Sequence, residues 1–372
     1  MTEPITRAIP DGQPSLESLY RPETLAPWLD RHVPEAGDGP VRATKLAGGA
    51  TNVVLRVDRG GIPVVLRRPP AAPRPDSVKV LTREARVLSA LNGSGVPAPR
   101  CYAACDDPAV IGTAFYVMEH IDGWLALGER TLPPAFQAPE VRRQLPLALV
   151  GGIAQLGALD YKALGLEGFG KPDGFLERQV DRWLHQHASY AESEGYGYRP
   201  LPDKDAVVDW LRANTPAMPR AGIIHGDYGW PNALIAPDMP VRLAAMIDWE
   251  LSTIGDPLLD LGWTVYSAPS PVSAVEPPKL FHDPAYPDRE ALVDHYASIT
   301  GRPVANLTYY MVLAQFKLAM LLERHYARGL NGRLPREQGE EMGALVLDLL
   351  RCAAEMAREH DGKNSGTRKA QS

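Results

Sequence analysis

His225-Gly226-Asp227-Tyr228-Gly229-Trp230-Pro231-Asn232 interrupts two apolar runs, Ile223-Ile224 before it and Ala233-Leu234-Ile235 after it. Within it an aspartate and an asparagine, Asp227 and Asn232, are separated by four residues. The second run leads through the turn Pro237-Asp238-Met239-Pro240 into residues 243–247, a pattern that predicts a short β-hairpin. At the far end of that hairpin stands Ile247-Asp248-Trp249-Glu250. A hairpin returns its second strand to the start of its first, so Asp227, Asn232 and Asp248 are expected to converge. Short polar side chains in a loop can also serve only to build turns. That reading predicts no particular partners elsewhere in the chain, and upstream there are such partners.

The surrounding composition is that of an ordinary globular protein. The chain has 372 residues, of which 45% are hydrophobic and 23% charged. The length suits two domains or one large two-lobed fold. With 39 Lys+Arg against 45 Asp+Glu, the formal net charge is -6, which argues against a nucleic-acid partner. The three cysteines, Cys101, Cys105 and Cys352, cannot all pair and read as idle thiols. The longest apolar stretches, residues 145–159 and 310–322, are interrupted by Gly151, Gly152 and Gln155 and by Gln315 and Lys317. Both are too short to span a bilayer, so no membrane association is expected. Residues 1–10 lack an apolar core behind a basic stretch, and a cytoplasmic protein is expected.

Two carboxylates and an amide oxygen at one point are what phosphoryl transfer from ATP requires. One carboxylate orients the acceptor hydroxyl and takes its proton; the other carboxylate and the amide oxygen hold Mg2+ against the phosphates. The Asp-x-x-x-x-Asn spacing is also that of kinase catalytic loops.

Upstream, Leu46-Ala47-Gly48-Gly49-Ala50-Thr51-Asn52 leads into an alternating strand at 53–57. Alone, a Gly-Gly pair before a strand is a hairpin turn. In this context its backbone N–H groups can lie over phosphates. After Gly60-Gly61 a second strand ends in Arg67-Arg68. Strand alternation sends these arginines to opposite faces, one toward a cleft and one, Arg68, toward solvent. A helix over residues 77–91 sets Glu84 inside an apolar stripe of Val80, Leu81, Ala85, Val87, Leu88 and Leu91. A carboxylate there needs a cation, and Arg67 is the candidate. The strand in residues 113–118 runs into Glu119-His120-Ile121-Asp122-Gly123, where backbone groups of Glu119 and Ile121 could read an adenine edge. Residues 15–32 are expected to form a helix, limited by Pro22 and Pro27, and residues 337–359 a closing amphipathic helix.

Together the loop 225–232, Asp248-Trp249-Glu250, Gly255-Asp256-Pro257 with Asp260, the Gly48-Gly49 loop and the linker 118–123 resemble the aminoglycoside-phosphotransferase-like family. The resemblance covers about residues 40 to 350. Val65-Leu66-Arg67-Arg68, residues 107–112 and residues 175–179 look most like the branch associated with acyl-CoA dehydrogenases, which is linked to phosphorylating hydroxyacyl-CoA compounds. The resemblance implies an α+β, protein-kinase-like bilobal fold with a small β-rich N-lobe and a larger helical C-lobe. The expected divisions are an extension at 1–37, an N-lobe at 38–121, a C-lobe at 122–360 and a disordered tail at 361–372. It implies ATP and Mg2+ as cofactors, Asp227 as catalytic base, and Asn232 and Asp248 as metal ligands. Gly48, Gly49, Thr51, Asn52, Arg67, Glu84, Glu119 and Ile121 would form the nucleotide site. Arg67 stands where most members have a phosphate-binding lysine, and the two cations are not interchangeable. Asp256 is expected to cap a helix at Pro257 and buttress the catalytic loop, and His225 to brace it.

The expected activity is transfer of the γ-phosphate of ATP to a hydroxyl of a small molecule, with a hydroxyacyl-CoA-type compound as one candidate. Only seven residues separate Asp248 from Asp256, too few for a peptide-docking activation segment. The rival acceptor is an aminoglycoside or another antibiotic, for which Glu337, Glu340 and Glu341 offer carboxylates, although such a cluster also reads as a solvated helix face. Arg178 and Arg182, beside Lys171 and Trp183, favour an anionic acceptor instead. The rival of another class is a non-catalytic ATP-binding pseudokinase, whose mark would be loss of Asp227, Asn232 or Asp248. The expected state is a monomer or a homodimer.

Overall fold

The computed structural model describes residues 15–46, 52–73, 75–127, 132–192, 196–218, 220–270 and 283–370. The chain divides into two compact units, Met1–Ser94 with Ala98–Asp122, and Gly95–Pro97 with Gly123–Ser372.

The first unit opens with α1 (Leu16–Tyr20) and α2 (Pro22–His32). The single helix expected over 15–32 is broken at Arg21, which adopts a left-handed conformation at φ 45. Pro22 explains the break. It has no N–H to donate, and its ring disfavours helical geometry in the residue before it, while its fixed φ suits the first position of a new helix. A five-stranded antiparallel sheet follows: β1 (Arg42–Lys45), β2 (Val53–Asp58), β3 (Val64–Arg68), β4 (Cys101–Cys105) and β5 (Phe115–Glu119), in the order β1-β2-β3-β5-β4. Between β3 and β4 lies α3 (Ser77–Leu91), and between β4 and β5 the short α4 (Pro108–Ile111).

On β2, Val53, Leu55 and Val57 point inward, while Val54, Arg56 and Asp58 are half-exposed. Tyr20, Leu25, Trp28, Leu29 and Ala36 share one core with Leu55, Val64, Leu66, Phe115 and Val117. Residues 16–36 thus cover one face of the sheet, so residue 37 is not a boundary of packing. Consequently β3 is buried at all five positions. Arg68 does not face solvent as expected. It is buried at 6% exposure, donates through Nε to the Pro69 carbonyl at 3.0 Å, and reaches the Leu19 carbonyl at the end of α1. A strand covered on both faces has no solvent side for alternation to choose.

The second unit has two small antiparallel ladders and a set of helices. Its elements are β6 (Trp124–Leu125), α5 (Pro139–Arg142), α6 (Gln144–Ala158), α7 (Glu177–Ala188), α8 (Lys204–Ala213), β7 (Gly222–Ile224), β8 (Ala233–Ile235), β9 (Leu243–Met246), β10 (Thr253–Gly255), α9 (Leu258–Val265), α10 (Arg289–Thr300), α11 (Leu307–Leu330) and α12 (Arg336–Ala370). The predicted hairpin is β8–β9, with Ala233 opposite Met246, and β6 extends it. Separately, β7 pairs with β10, Ile224 opposite Thr253.

The last two helices pack closely along their length. A Cβ on Gly329 would lie 2.8 Å from the Gly339 Cα, so glycine lets the two backbones touch at the start of their hairpin. The tail expected to be loose from Asp361 continues as helix to Ala370, and the Trp210 indole N–H donates to Asp361 at 3.0 Å. Among the described residues no helix is long and apolar enough to cross a membrane, and all three cysteines are free thiols.

Candidate active site

Two loops of the second unit meet because two ladders frame them. The first loop runs from the end of β7 to the start of β8, the second from the end of β9 to the start of β10. The β7–β10 pairing closes one side. The β8–β9 pairing closes the other, continued by the Ile247 N–H on the Asn232 carbonyl at 2.9 Å. Asp227 and Asn232 ride on the first loop and Asp248 on the second, and all three line one cavity of about 290 Å3.

Within it the Asn232 amide nitrogen donates to the Asp227 backbone carbonyl at 2.7 Å and lies 3.4 Å from the Asp227 carboxylate. That commits the nitrogen and leaves the amide oxygen as a donor for a cation. Asp248 adopts a left-handed backbone at φ 67, a strained setting for a non-glycine residue and one that recurs at functional positions. A carboxylate and an amide oxygen are hard donors suited to Mg2+, which takes few protein ligands and keeps several waters. Burial pushes the Asp227 carboxyl above the usual carboxylate range; the charge of Lys317 opposes this, and those of Asp248 and Glu250 add to it.

The first loop is held from below. The His225 and Gly226 N–H groups donate to the two carboxylate oxygens of Asp260, on α9, at 2.6 and 2.9 Å. Burial raises the Asp260 carboxyl to about 6, and these two bonds oppose the rise. The buttress is therefore Asp260 and not Asp256. Asp256 caps the α9 start, accepting from the Leu258 N–H at 3.0 Å and the Tyr310 hydroxyl at 2.7 Å. Gly226 has φ +83, and a Cβ there would sit 2.5 Å from the Leu251 carbonyl, so the loop needs glycine at this point.

His225 is the expected brace. Its ring is fully buried and lies 4.7 Å from that of Trp249, with Nε2 3.0 Å from the Ile247 carbonyl. Burial lowers its pKa to about 4, so the ring is neutral and Nε2 carries the proton it donates. Histidine and tryptophan thereby tie one loop to the other.

Sequence reasoning passed over Lys317 of α11 as a mere interruption of an apolar stretch. It is buried, and its Nζ donates to the Gly226 carbonyl. The available signal was the one that marked Glu84: a charged residue centred in an apolar stripe.

In the first unit Arg67 and Glu84 form the expected ion pair, Nε to Oε2 at 3.0 Å, with side chains 7% and 1% exposed. Tyr116, fully buried, stands opposite Arg67 on β5. Of the Glu119 backbone groups, expected with those of Ile121 to read adenine, the N–H donates to the Arg100 carbonyl at 2.8 Å. The Glu119 carboxylate accepts from the Arg100 N–H at 3.2 Å, while Ile121 is half-exposed. Asn52 is buried. Gly48, Gly49 and Thr51 lie outside the described residues. Arg178 donates to the Lys171 and Asp173 carbonyls, which holds its guanidinium against its own loop. Glu337, Glu340 and Glu341 are exposed on α12, and Glu340 pairs with Arg336 at 2.8 Å.

An antiparallel sheet unit and a helical unit carrying this double loop define the kinase-like phosphotransferase fold. Residues 42–293 match the model of the phosphotransferase enzyme family, and the chain belongs to that family. It is similar to a "putative aminoglycoside phosphotransferase" of Ralstonia eutropha at 30% identity and a TM-score of 0.75, over 91% of this chain and 98% of that one. Acyl-CoA dehydrogenase family member 11 of Gallus gallus is 31% identical over 333 residues, 87% of this chain. The chain spans only 41% of that relative's length. The structure of a spectinomycin phosphotransferase in complex with ADP and spectinomycin is 11% identical, with a TM-score of 0.56 over 90% of this chain and 98% of that one, and shares the fold alone.

Proposed function

We propose that the protein transfers the γ-phosphate of ATP, with Mg2+, to a hydroxyl of a small molecule, and that the acceptor is of the hydroxyacyl-CoA type. The observation that carries this reading is the makeup of the Asp227 cavity. Its walls are Leu149, Trp230, Trp263, Tyr266 and Leu318, with Thr264 and Ser267 as neutral polar groups. Asp227 and Asp248 are the acids among the described lining residues. A polycationic aminoglycoside would be matched by further carboxylates, whereas an acyl chain bearing a hydroxyl suits apolar and aromatic walls. The relatives that contain acyl-CoA dehydrogenase in their names support the same acceptor class.

In this reading Asp227 accepts the hydrogen bond and then the proton of the acceptor hydroxyl. The hydroxyl oxygen bonds to the γ-phosphorus as the bond to the leaving ADP oxygen breaks. Asn232 and Asp248 would hold Mg2+, which supplies charge neutralisation at the phosphates. Arg67, kept in place by Glu84, would meet the phosphates. Retention of Asp227, Asn232 and Asp248 in one cavity favours catalysis over a non-catalytic nucleotide module.

The test is ADP production with MgATP across hydroxyacyl-CoAs, sugars, choline-like alcohols and aminoglycosides. Hydroxyacyl-CoA-dependent turnover is expected; turnover confined to aminoglycosides would reassign the acceptor. Asp248→Asn and Asn232→Ala are expected to weaken magnesium-dependent nucleotide binding at least ~10-fold, since even groups that only orient metal ligands cost that much. Calorimetric titrations with unchanged affinity in both variants would remove them as ligands.

A further inference from the structure

Lys317 projects from α11 into the underside of the loop that carries Asp227. It is 4% exposed. Its ammonium lies 4.0 Å from the ring centroid of Trp263, on α9, and 5.5 Å from that of Trp183, on α7. Its hydrogen bond goes to the Gly226 carbonyl, in the peptide that joins Gly226 to Asp227. A buried cation is costly. Methionine would fill the same space between two indoles without that cost. The carboxylates whose charge acts on Lys317 are Asp227 and Asp260, and burial lowers its own pKa to about 8 against their pull.

Asp260 and Lys317 divide the loop backbone between them. Asp260 takes the N–H groups of His225 and Gly226, and Lys317 takes the carbonyl that follows. The peptides on both sides of the left-handed Gly226 are thereby fixed, and the Asp227 side chain leaves from the pinned end. Asp260 alone could pin the N–H groups, but it adds negative charge beneath Asp227. Lys317 supplies the opposite sign at the same place.

We infer that Lys317 is a positioning residue for phosphoryl transfer: it pins the Gly226 carbonyl and provides the positive charge that keeps the Asp227 carboxylate aimed at the acceptor hydroxyl. This rests on the phosphotransferase reading of Asp227. Lys317 touches neither nucleotide nor acceptor in that scheme, so its loss acts on the chemical step.

The experiment uses the full chain with Lys317→Met and Lys317→Arg. With MgATP and a hydroxyacyl-CoA, Lys317→Met is expected to lower kcat by about 10²-fold, the scale of a small misplacement of a reacting group. The dissociation constant for MgATP should stay within about 2-fold, and Lys317→Arg should recover part of the rate. Unchanged kcat, or nucleotide affinity falling by the same factor as kcat, would overturn the assignment. A second readout needs no turnover: thermal unfolding of Lys317→Met, Asp227→Asn and the double variant. Coupled residues give non-additive shifts. The Tm shift caused by Lys317→Met should therefore be less favourable in the native background than beside Asp227→Asn. Additive shifts overturn the Lys317 proposal whatever the activity. A native chain that turns over with none of the acceptors, yet shows the non-additive shifts, sinks the phosphotransferase reading while leaving the pairing of Lys317 with Asp227 standing.

Discussion

Asp227→Ala is expected to reduce kcat by at least ~10²-fold while leaving MgATP affinity nearly intact. The side chain lies in the cavity with the apolar and aromatic walls, and among the described residues its carboxylate accepts little beyond the 3.4 Å approach of the Asn232 amide. It is thus available to an acceptor hydroxyl. In the proposed mechanism its removal takes away the proton acceptor and the group that orients the attacking oxygen, but no ligand assigned to magnesium. Rapid-mixing measurement of a single turnover, alongside calorimetric titration of the nucleotide, separates the two quantities. Native-like turnover in the variant would remove Asp227 from the mechanism.

Glu84→Ala is expected to destabilise the first unit by about 3–5 kcal/mol. The Arg67 guanidinium is 7% exposed and its partner 1%, so truncating Glu84 leaves a buried cation without its carboxylate. Glu84→Gln keeps an acceptor oxygen in place and should cost less. Thermal and denaturant unfolding give the comparison; equal stability of Glu84→Ala and the native chain would show that the pair contributes nothing. Arg67→Ala and Arg68→Ala should differ in kind. Arg67→Ala breaks the pair with α3, and nucleotide affinity falls if Arg67 meets the phosphates. Arg68→Ala releases the carbonyls of Leu19 and Pro69 and so loosens α1 from the sheet.

Much of this was legible in the sequence because chemistry and pattern coincided. The run Ile223 to Ile235 announces strand, loop and strand, and the hairpin that follows returns Asp248 to Asn232. The stripe of α3 announced that Glu84 needed a cation, and alternation along β3 chose Arg67. Alternation failed for Arg68 because it describes a sheet with one wet face, and here α1 and α2 cover the other. The short strands β1 and β4, Arg-Ala-Thr-Lys and Cys-Tyr-Ala-Ala-Cys, carry too few large apolar residues to be seen. Asp260 and Lys317 were misjudged for a different reason. They reach the loop from helices far along the chain, and single-segment periodicity says nothing about which distant elements will meet.

The grip of Asp260 on the loop also has a kinetic signature. The amides of His225 and Gly226 belong to no helix or ladder, yet both point into a carboxylate buried at 3% exposure. Solvent deuterium reaches them when α9 and the loop part company. In a deuterium-uptake experiment these two positions should form a slow island inside an irregular segment, exchanging on the timescale of the surrounding helices. Asp260→Asn would convert that island to fast exchange, because one of its two acceptor oxygens becomes an N–H donor.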